Sequence, residues 1–369
     1  MRWRYRNLTY YITLLVVYFV VYAMSALSLN MQFGQGGIIN FAFIVFQSAG
    51  AYACALTSLG SKANGFQLGQ TYFWGTSLPF PLPFLVGGVA GGLLALILGP
   101  ATLRKMRRDY QAATMIVIAI IANQLVVNAQ SLLNGDAGLS GVNQPLSSHL
   151  PSSPNTYSWI YAGWALVVCV IIYLFSRRLG QSPLGRTLRA IRDDEDAAAG
   201  VGKNPWGTRM IVFVVGGVIA GLSGALLIEF ISAWSPSAWG YQESFVILVA
   251  VILGGTGNER GSLVGAFIVG IVLTQAPTFL PAFGYPGLVD SLDWVMLGVV
   301  WIVMLWLRPS GLVPERADLR LSKSSKRPRR SQTATPLTAT AHLATQVAAG
   351  HSPLIRLTAT PAREQGEGK

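Results

Sequence analysis

Of 369 residues, 52% are apolar and only 11% are charged, and the mean hydropathy is +0.47, which excludes an ordinary soluble domain and a disordered chain. The formal charge of +12 comes from 27 Lys and Arg against 15 Asp and Glu; these positives gather at the ends of apolar runs and in a C-terminal stretch, which fits cytoplasmic loops and anionic lipid rather than nucleic acid. Cys54 and Cys169 lie inside apolar segments and support neither a disulfide framework nor a metal site, while His149, His342 and His351 fall outside the spans and remove most imidazole relays.

A hydrocarbon core about 30 Å thick takes about 20 apolar residues per helix. On that measure spans are predicted at 8–29, 36–59, 83–103, 112–133, 158–176, 209–233, 243–257, 261–281 and 291–307. The fold class is therefore an all-α polytopic integral membrane protein of the plasma membrane, a bundle of roughly eight to ten transmembrane helices. Arg104, Lys105, Arg107 and Arg108 place that loop in the cytoplasm, as do Arg177 to Arg209 and Arg308 onward. The loops 134–157 and 234–242 carry no Lys or Arg and fall outside.

The N-terminus fits less easily. Arg2, Arg4 and Arg6 argue for a cytoplasmic start, yet two plain spans would then drive Arg104 to Arg108 outside. The stretch Asn30-Met-Gln32-Phe-Gly34-Gln35-Gly36-Gly37-Ile-Ile-Asn40 supplies a reason, since glycines and amides weaken helix propagation at membrane depth. Unwound backbone there must be buried in protein or line a wet cavity, so a broken or re-entrant segment is expected near 30–45, on the substrate path. A glycine-rich helix packed tightly on a neighbour is the plainer alternative. Arg2 to Arg6, the apolar run and Ala23-Met-Ser-Ala26 also imitate a signal peptide, but the run is long and many spans follow, which favours an uncleaved first helix.

Between spans five and six lies a polar island. Asp193-Asp194-Glu195-Asp196 could suggest a cation site, but the four acids point in several directions beside Arg186, Arg189 and Arg192, so local charge pairing accounts for them. Gly254-Gly255-Thr-Gly257-Asn-Glu-Arg-Gly261 lacks the Gly-Lys-Ser/Thr ending of a phosphate loop, so the chain is not expected to bind ATP itself. Gly87/Gly91, Gly88/Gly92 and Gly217/Gly221 have the spacing of close helix contacts. Asn123, Gln124, Asn128 and Glu229 interrupt apolar runs and are candidate pathway groups by default, although Glu229 and Glu243 are expected near the outer interface, where water is available. Past Pro314 the chain turns to Ser, Thr, Ala, Pro and basic residues, including Lys323-Ser-Ser-Lys326-Arg327, so 315–369 is expected to be a disordered cytoplasmic tail.

Several segments, in order, resemble the permease subunits of ABC importers for branched-chain amino acids and related small polar solutes. They are Leu29-Asn30 with Gly34, Gly36-Gly37-Ile-Ile-Asn40-Phe-Ala42 and Gly50-Ala51-Tyr52; Arg107-Arg108-Asp109-Tyr110-Gln-Ala112-Ala113-Thr114; Gly135-Asp136-Ala-Gly138; Ser182-Pro183-Leu184-Gly185-Arg186 through Ala198; Leu253-Gly254-Gly255-Thr-Gly257; and Arg308-Pro309-Ser-Gly311-Leu312. Asn40-Phe41-Ala42-Phe43-Ile44 stands where many members carry Ser-Leu-Gly-His-Ala.

The resemblance implies a permease domain over 1–314 and transport without covalent chemistry, with no catalytic residues, metal or cofactor. Its implied partners are cytoplasmic ABC ATPase subunits, a second homologous permease subunit, a soluble extracytoplasmic solute-binding protein and membrane lipid. A coupling loop at 177–208 would meet the ATPase through Leu184, Gly185, Arg186, Leu188, Arg189, Ala190, Ile191, Asp194 and Glu195. Leu184, Leu188 and Ile191 share one helical face suited to a groove on that partner. The pathway would be lined by Asn30, Gly36, Gly37, Asn40, Gln47, Thr114, Asn123 and Asn128, with broken-helix ends serving a zwitterion. The same importer class carrying urea, short amides or other amino acids is an alternative. So is an ion-coupled secondary carrier using Glu229 or Glu243.

Overall fold

The computed structural model describes residues 2–60, 69–104, 108–145, 154–273, 286–308 and 311–314. Its contacts divide the chain into Met1–Arg316 and Ala317–Lys369, and the tail expected at 315–369 lies outside the described residues.

Twelve helices are described. They are α1 (Arg2–Leu29), running straight into a π-helical turn at Asn30–Gln35, then α2 (Phe43–Ser58), α3 (Leu82–Leu103), α4 (Arg108–Asn128), α5 (Gln130–Leu133), α6 (Pro154–Gln181), α7 (Pro183–Asp193), α8 (Glu195–Gly200), α9 (Pro205–Ile231), α10 (Tyr241–Gly254), α11 (Glu259–Phe267), continued by a π turn at Ile268–Leu273, and α12 (Pro286–Leu307). Six helical stretches among the described residues are long and apolar enough to cross a membrane. The strands are two-residue β1 (Leu139–Ser140) and β2 (Ala233–Trp234), paired antiparallel. The chain is an all-α multi-pass membrane protein.

Several expected boundaries move. The second span begins at Phe43, not 36, because Gly36 to Ala42 is irregular and covers part of the crossing without helix. The stretch expected at 112–133 ends at Asn128, and a left-handed Asn134 (φ 62°) turns the chain after α5. Residues 274–281 of the span expected at 261–281 lie outside the described residues.

The order of crossings also bears on the N-terminal orientation. The foot of α1 at Gly34 and Gln35 sits beside Arg192 of α7 and Glu259 of α11, on the face that Arg177 and Arg178 mark as cytoplasmic. With 28 residues rising about 1.5 Å each, α1 starts at the opposite face. Two crossings, α1 and the 36–58 segment, therefore precede the outer loop, and α3 delivers Arg104 inside without contradiction. Of the two conflicting charge clusters, this order agrees with Arg104 and Arg108 rather than with Arg2, Arg4 and Arg6.

Small residues let α2, α3 and α9 meet backbone to backbone. A Cβ added at Gly91 would lie 2.9 Å from Gly221 Cα, and one at Gly87 would lie 2.7 Å from Ala225 Cβ and 2.8 Å from Gly50 O. Without a hydrophobic drive between helices in lipid, this close dispersion contact is what holds them. Around it are fully buried Phe43, Phe46 and Phe213, the last two meeting edge to face with centroids 5.3 Å apart. Large apolar side chains on α3, α4 and α6, such as Ile97, Leu125 and Ile171, stay exposed, as a lipid-facing surface requires. At the inner end, Leu312 N and Val313 N donate to Leu253 O and Gly254 O, both at 2.9 Å, and Asn258 Nδ2 donates to Val313 O at 3.2 Å, so the chain after α12 is pinned onto the α10–α11 turn.

Candidate functional site

The sequence places a tyrosine-rich stripe on α1. Tyr18, Val21, Tyr22 and Ser25 follow helical spacing, and the structure turns all four into one cleft of ≈ 450 Å³. Ile44 and Gln47 of α2, Leu227 and Ile231 of α9, and Glu243 and Ile247 of α10 complete its inner wall, with Ser140, Trp234 and Ser235 at the rim. The rim is formed by the β1–β2 pair, which joins the loop after α4 to the loop after α9, so the cleft lies toward the outer face. Its walls are apolar with a few polar groups, the usual make-up of a small-molecule pocket.

Below the cleft is the break. Asn40 Nδ2 donates to Gln32 Oε1 at 2.7 Å, and Asn40 Oδ1 accepts from Ala42 N at 3.0 Å. Ile38 N donates to Gln32 O at 2.9 Å and Gly36 N to Met31 O at 3.2 Å. Asn30 Oδ1 accepts from Gly257 N at 2.8 Å and Gln35 Nε2 donates to Glu259 Oε1 at 2.9 Å. These amides satisfy unwound backbone and staple the break to the α10–α11 turn. A backbone group left unpaired in hydrocarbon costs several kcal/mol.

At the cytoplasmic end, Ser182 caps α7 by accepting from Gly185 N at 3.3 Å, with Pro183 opening the helix. Asp194 caps α8 by accepting from Ala197 N at 2.9 Å. Arg209 Nη1 pairs with Glu195 Oε2 at 2.6 Å, and Arg192 Nε pairs with Asp193 Oδ1 at 3.1 Å, so Asp193, Asp194 and Glu195 each have a local use. Arg192 also reaches the membrane domain: its Nη1 donates to Gly34 O. Gly37, at φ +65°, lies so close that a Cβ there would stand 3.1 Å from Arg192 Cγ.

The expected site residues fare unevenly. Of the eight proposed for the pathway, Gln47 alone lines the cleft. Asn30, Gly36, Gly37 and Asn40 build the break, and Asn30 and Asn40 are buried in the chain's own packing. Asn123 Nδ2 donates to Pro236 O at 2.9 Å, bracing the loop before α10. Thr114 is half-buried, and Asn128 is exposed and bonded to Gln124 O of its own helix. For the coupling set, the apolar face proves inward: Leu188 and Ile191 are fully buried and Leu184 packs on the core. Leu188 and Ile191 are thus taken up by the chain's own packing and are not presented to another protein. Arg186, Ala190 and Asp194 are exposed, with Arg189 half-buried.

Two carboxylates expected near the outer interface take different places. Glu229, expected near water, is 2% exposed, and it accepts from Cys54 Sγ at 3.5 Å and Tyr161 OH at 3.4 Å. Glu243 lines the cleft. The α1 stripe was the signal for the cleft, but Tyr18, Tyr22 and Ser25 lie within a span that reads as plainly apolar.

A polytopic bundle with an outward cleft, a broken helix beneath it and a polar helix pair at its cytoplasmic foot is the build of a membrane transport permease. The chain belongs to the family described as branched-chain amino acid transport system / permease component, whose model matches residues 11–305. It is 26% identical over 336 residues to a Methanocaldococcus jannaschii protein named "Probable branched-chain amino acid transport permease protein LivM", covering 83% of this chain and 94% of that one. It is 27% identical over 326 residues to the high-affinity branched-chain amino acid transport system permease protein LivM of Salmonella typhimurium, covering 82% and 70%. With the LivH permease protein of the same system in Escherichia coli it shares 24% identity over 305 residues, covering 79% and 91%. No solved structure matches the chain.

Proposed function

We propose that this chain is one permease subunit of an ATP-driven importer of branched-chain amino acids and forms half of the passage beside a second, homologous permease. Solute arrives at the outer cleft from a soluble binding protein docked on the β1–β2 rim. ATP hydrolysis belongs to separate cytoplasmic subunits, which press on the exposed side of α7 and α8, presented by Arg186, Ala190, Asp193 and Asp196. The observation that carries this reading is Arg192, whose guanidinium joins the coupling helix to the carbonyl of Gly34 at the start of the break. A push on α7 is thereby delivered to the segment beneath the cleft. The inward face of Leu188 and Ile191 supports the same reading, because it seats α7 rigidly on the bundle.

The test is uptake into vesicles together with co-purification. The assembled system should take up leucine only with nucleotide inside, and Arg186→Glu, on the exposed face, should leave the chain folded but lose the ATPase subunits. Uphill uptake driven by an ion gradient without nucleotide would favour the secondary carrier and defeat the proposal.

A further inference from the structure

Two polar side chains in the outer cleft have no use in the fold. The carboxylate of Glu243 lines the cleft and makes no hydrogen bond or ion pair with any described residue. Gln47, only 4% exposed, lines the same cleft, and its amide likewise bonds to no described side chain or backbone group. Several other polar groups of the membrane domain are tied into the fold. Asn40 holds Gln32, Asn30 holds Gly257, and Glu229 is met by Cys54 and Tyr161.

An ionisable side chain at membrane depth is costly unless it meets a partner or water. The first turn of α10, where Glu243 sits, eases a negative charge through the helix dipole. That makes the charge tolerable but gives no reason to aim it at a cavity walled by Val21, Ile44, Leu227 and Ile247. A cation-binding carboxylate, a hydrogen-bonding amide and an aliphatic wall are together the complement of an amino acid with a branched apolar side chain. The cleft, ≈ 450 Å³, falls within the roughly 300–1,000 Å³ of small-molecule pockets.

We propose that the outer cleft is a transient solute site in which the Glu243 carboxylate binds the α-ammonium group, the Gln47 amide binds the carboxylate, and the aliphatic wall receives the side chain. The site deepens the importer reading and rests on it. It gives the permease a selectivity of its own, directed at the ammonium group, behind that of the binding protein.

The test uses the assembled transporter. Glu243→Gln should lower leucine uptake about tenfold or more, the scale of a lost charged hydrogen bond, with assembly and ATPase co-purification intact, and Glu243→Asp should stay closer to wild type. Uptake by Glu243→Gln within about twofold of wild type overturns the proposal. A wild type that shows no nucleotide-dependent uptake is instead a failure of the importer reading. Titration calorimetry on the intact wild-type chain covers both that case and a Glu243→Gln variant that does not assemble. Leucine and 3-methylbutylamine should bind, and 4-methylpentanoate, which has the same shape without the amine, should not. Binding of 4-methylpentanoate as tight as that of leucine, or no binding of the amine, overturns the assignment. In Gln47→Leu, leucine binding should weaken while 3-methylbutylamine binding is spared.

Discussion

Arg192→Ala is the sharpest probe of how force crosses from the cytoplasmic helices to the passage. The guanidinium donates to Gly34 O, pairs with Asp193 at 3.1 Å and is 24% exposed. A hydrogen bond from a charged donor is worth about 1.5–3 kcal/mol, and partial exposure puts this one near the lower end. The Asp193 pair joins neighbouring residues on one helix and adds little. Losing about 1.5 kcal/mol weakens the grip of α7 on the break about tenfold. Removing the side chain also empties the surface on which Gly37 rests. The expected result in proteoliposomes is ATP hydrolysis retained while leucine uptake per ATP falls several-fold. Arg192→Lys keeps the charge but loses the planar fork and should fall between. An unchanged ratio of uptake to hydrolysis in Arg192→Ala would refute the claim that this contact transmits movement.

Gly91→Ala would push a methyl toward Gly221 Cα, 2.9 Å away, and should destabilise the α3–α9 contact by about 1–3 kcal/mol, read as a lower melting temperature in detergent. Asn40→Ala removes the donor to Gln32 Oε1 and the acceptor for Ala42 N, which should cost about 1–3 kcal/mol and increase proteolysis in the 36–42 segment. Glu195→Ala strips the partner from Arg209, 9% exposed; leaving a buried charge uncompensated costs about 3–5 kcal/mol, tempered here because the Glu195 side chain is 48% exposed, so reduced yield of folded protein is expected, with Glu195→Asp milder.

The bundle was legible because hydrocarbon imposes a length and a composition on each crossing, and α3, α6 and α9 follow them. The glycine spacing in α3 and α9 carried the closest helix contact for the same reason, since only small residues permit it. The break near Gly36 was legible through its amides, but their purpose was not. A buried asparagine that holds another segment and one that meets solute look identical in sequence, and Asn30 and Asn40 proved to be of the first kind. The apolar face of α7 misled similarly, because a 3.6-residue period says that a face is buried and nothing about what buries it. The N-terminal orientation was not legible, because the number of crossings before residue 60 depends on how much of 36–42 traverses without helix.

The π turn at Asn30–Gln35 has one more residue per turn than the helix above it, so α1 carries slack at its foot. Were that surplus residue passed along the chain, everything beyond would swivel by about 100° and advance about 1.5 Å. The carbonyl held by Arg192 lies within that loose turn. A pull on that carbonyl would therefore act on the turn that holds the surplus residue, just before the irregular segment from Gly36 to Ala42.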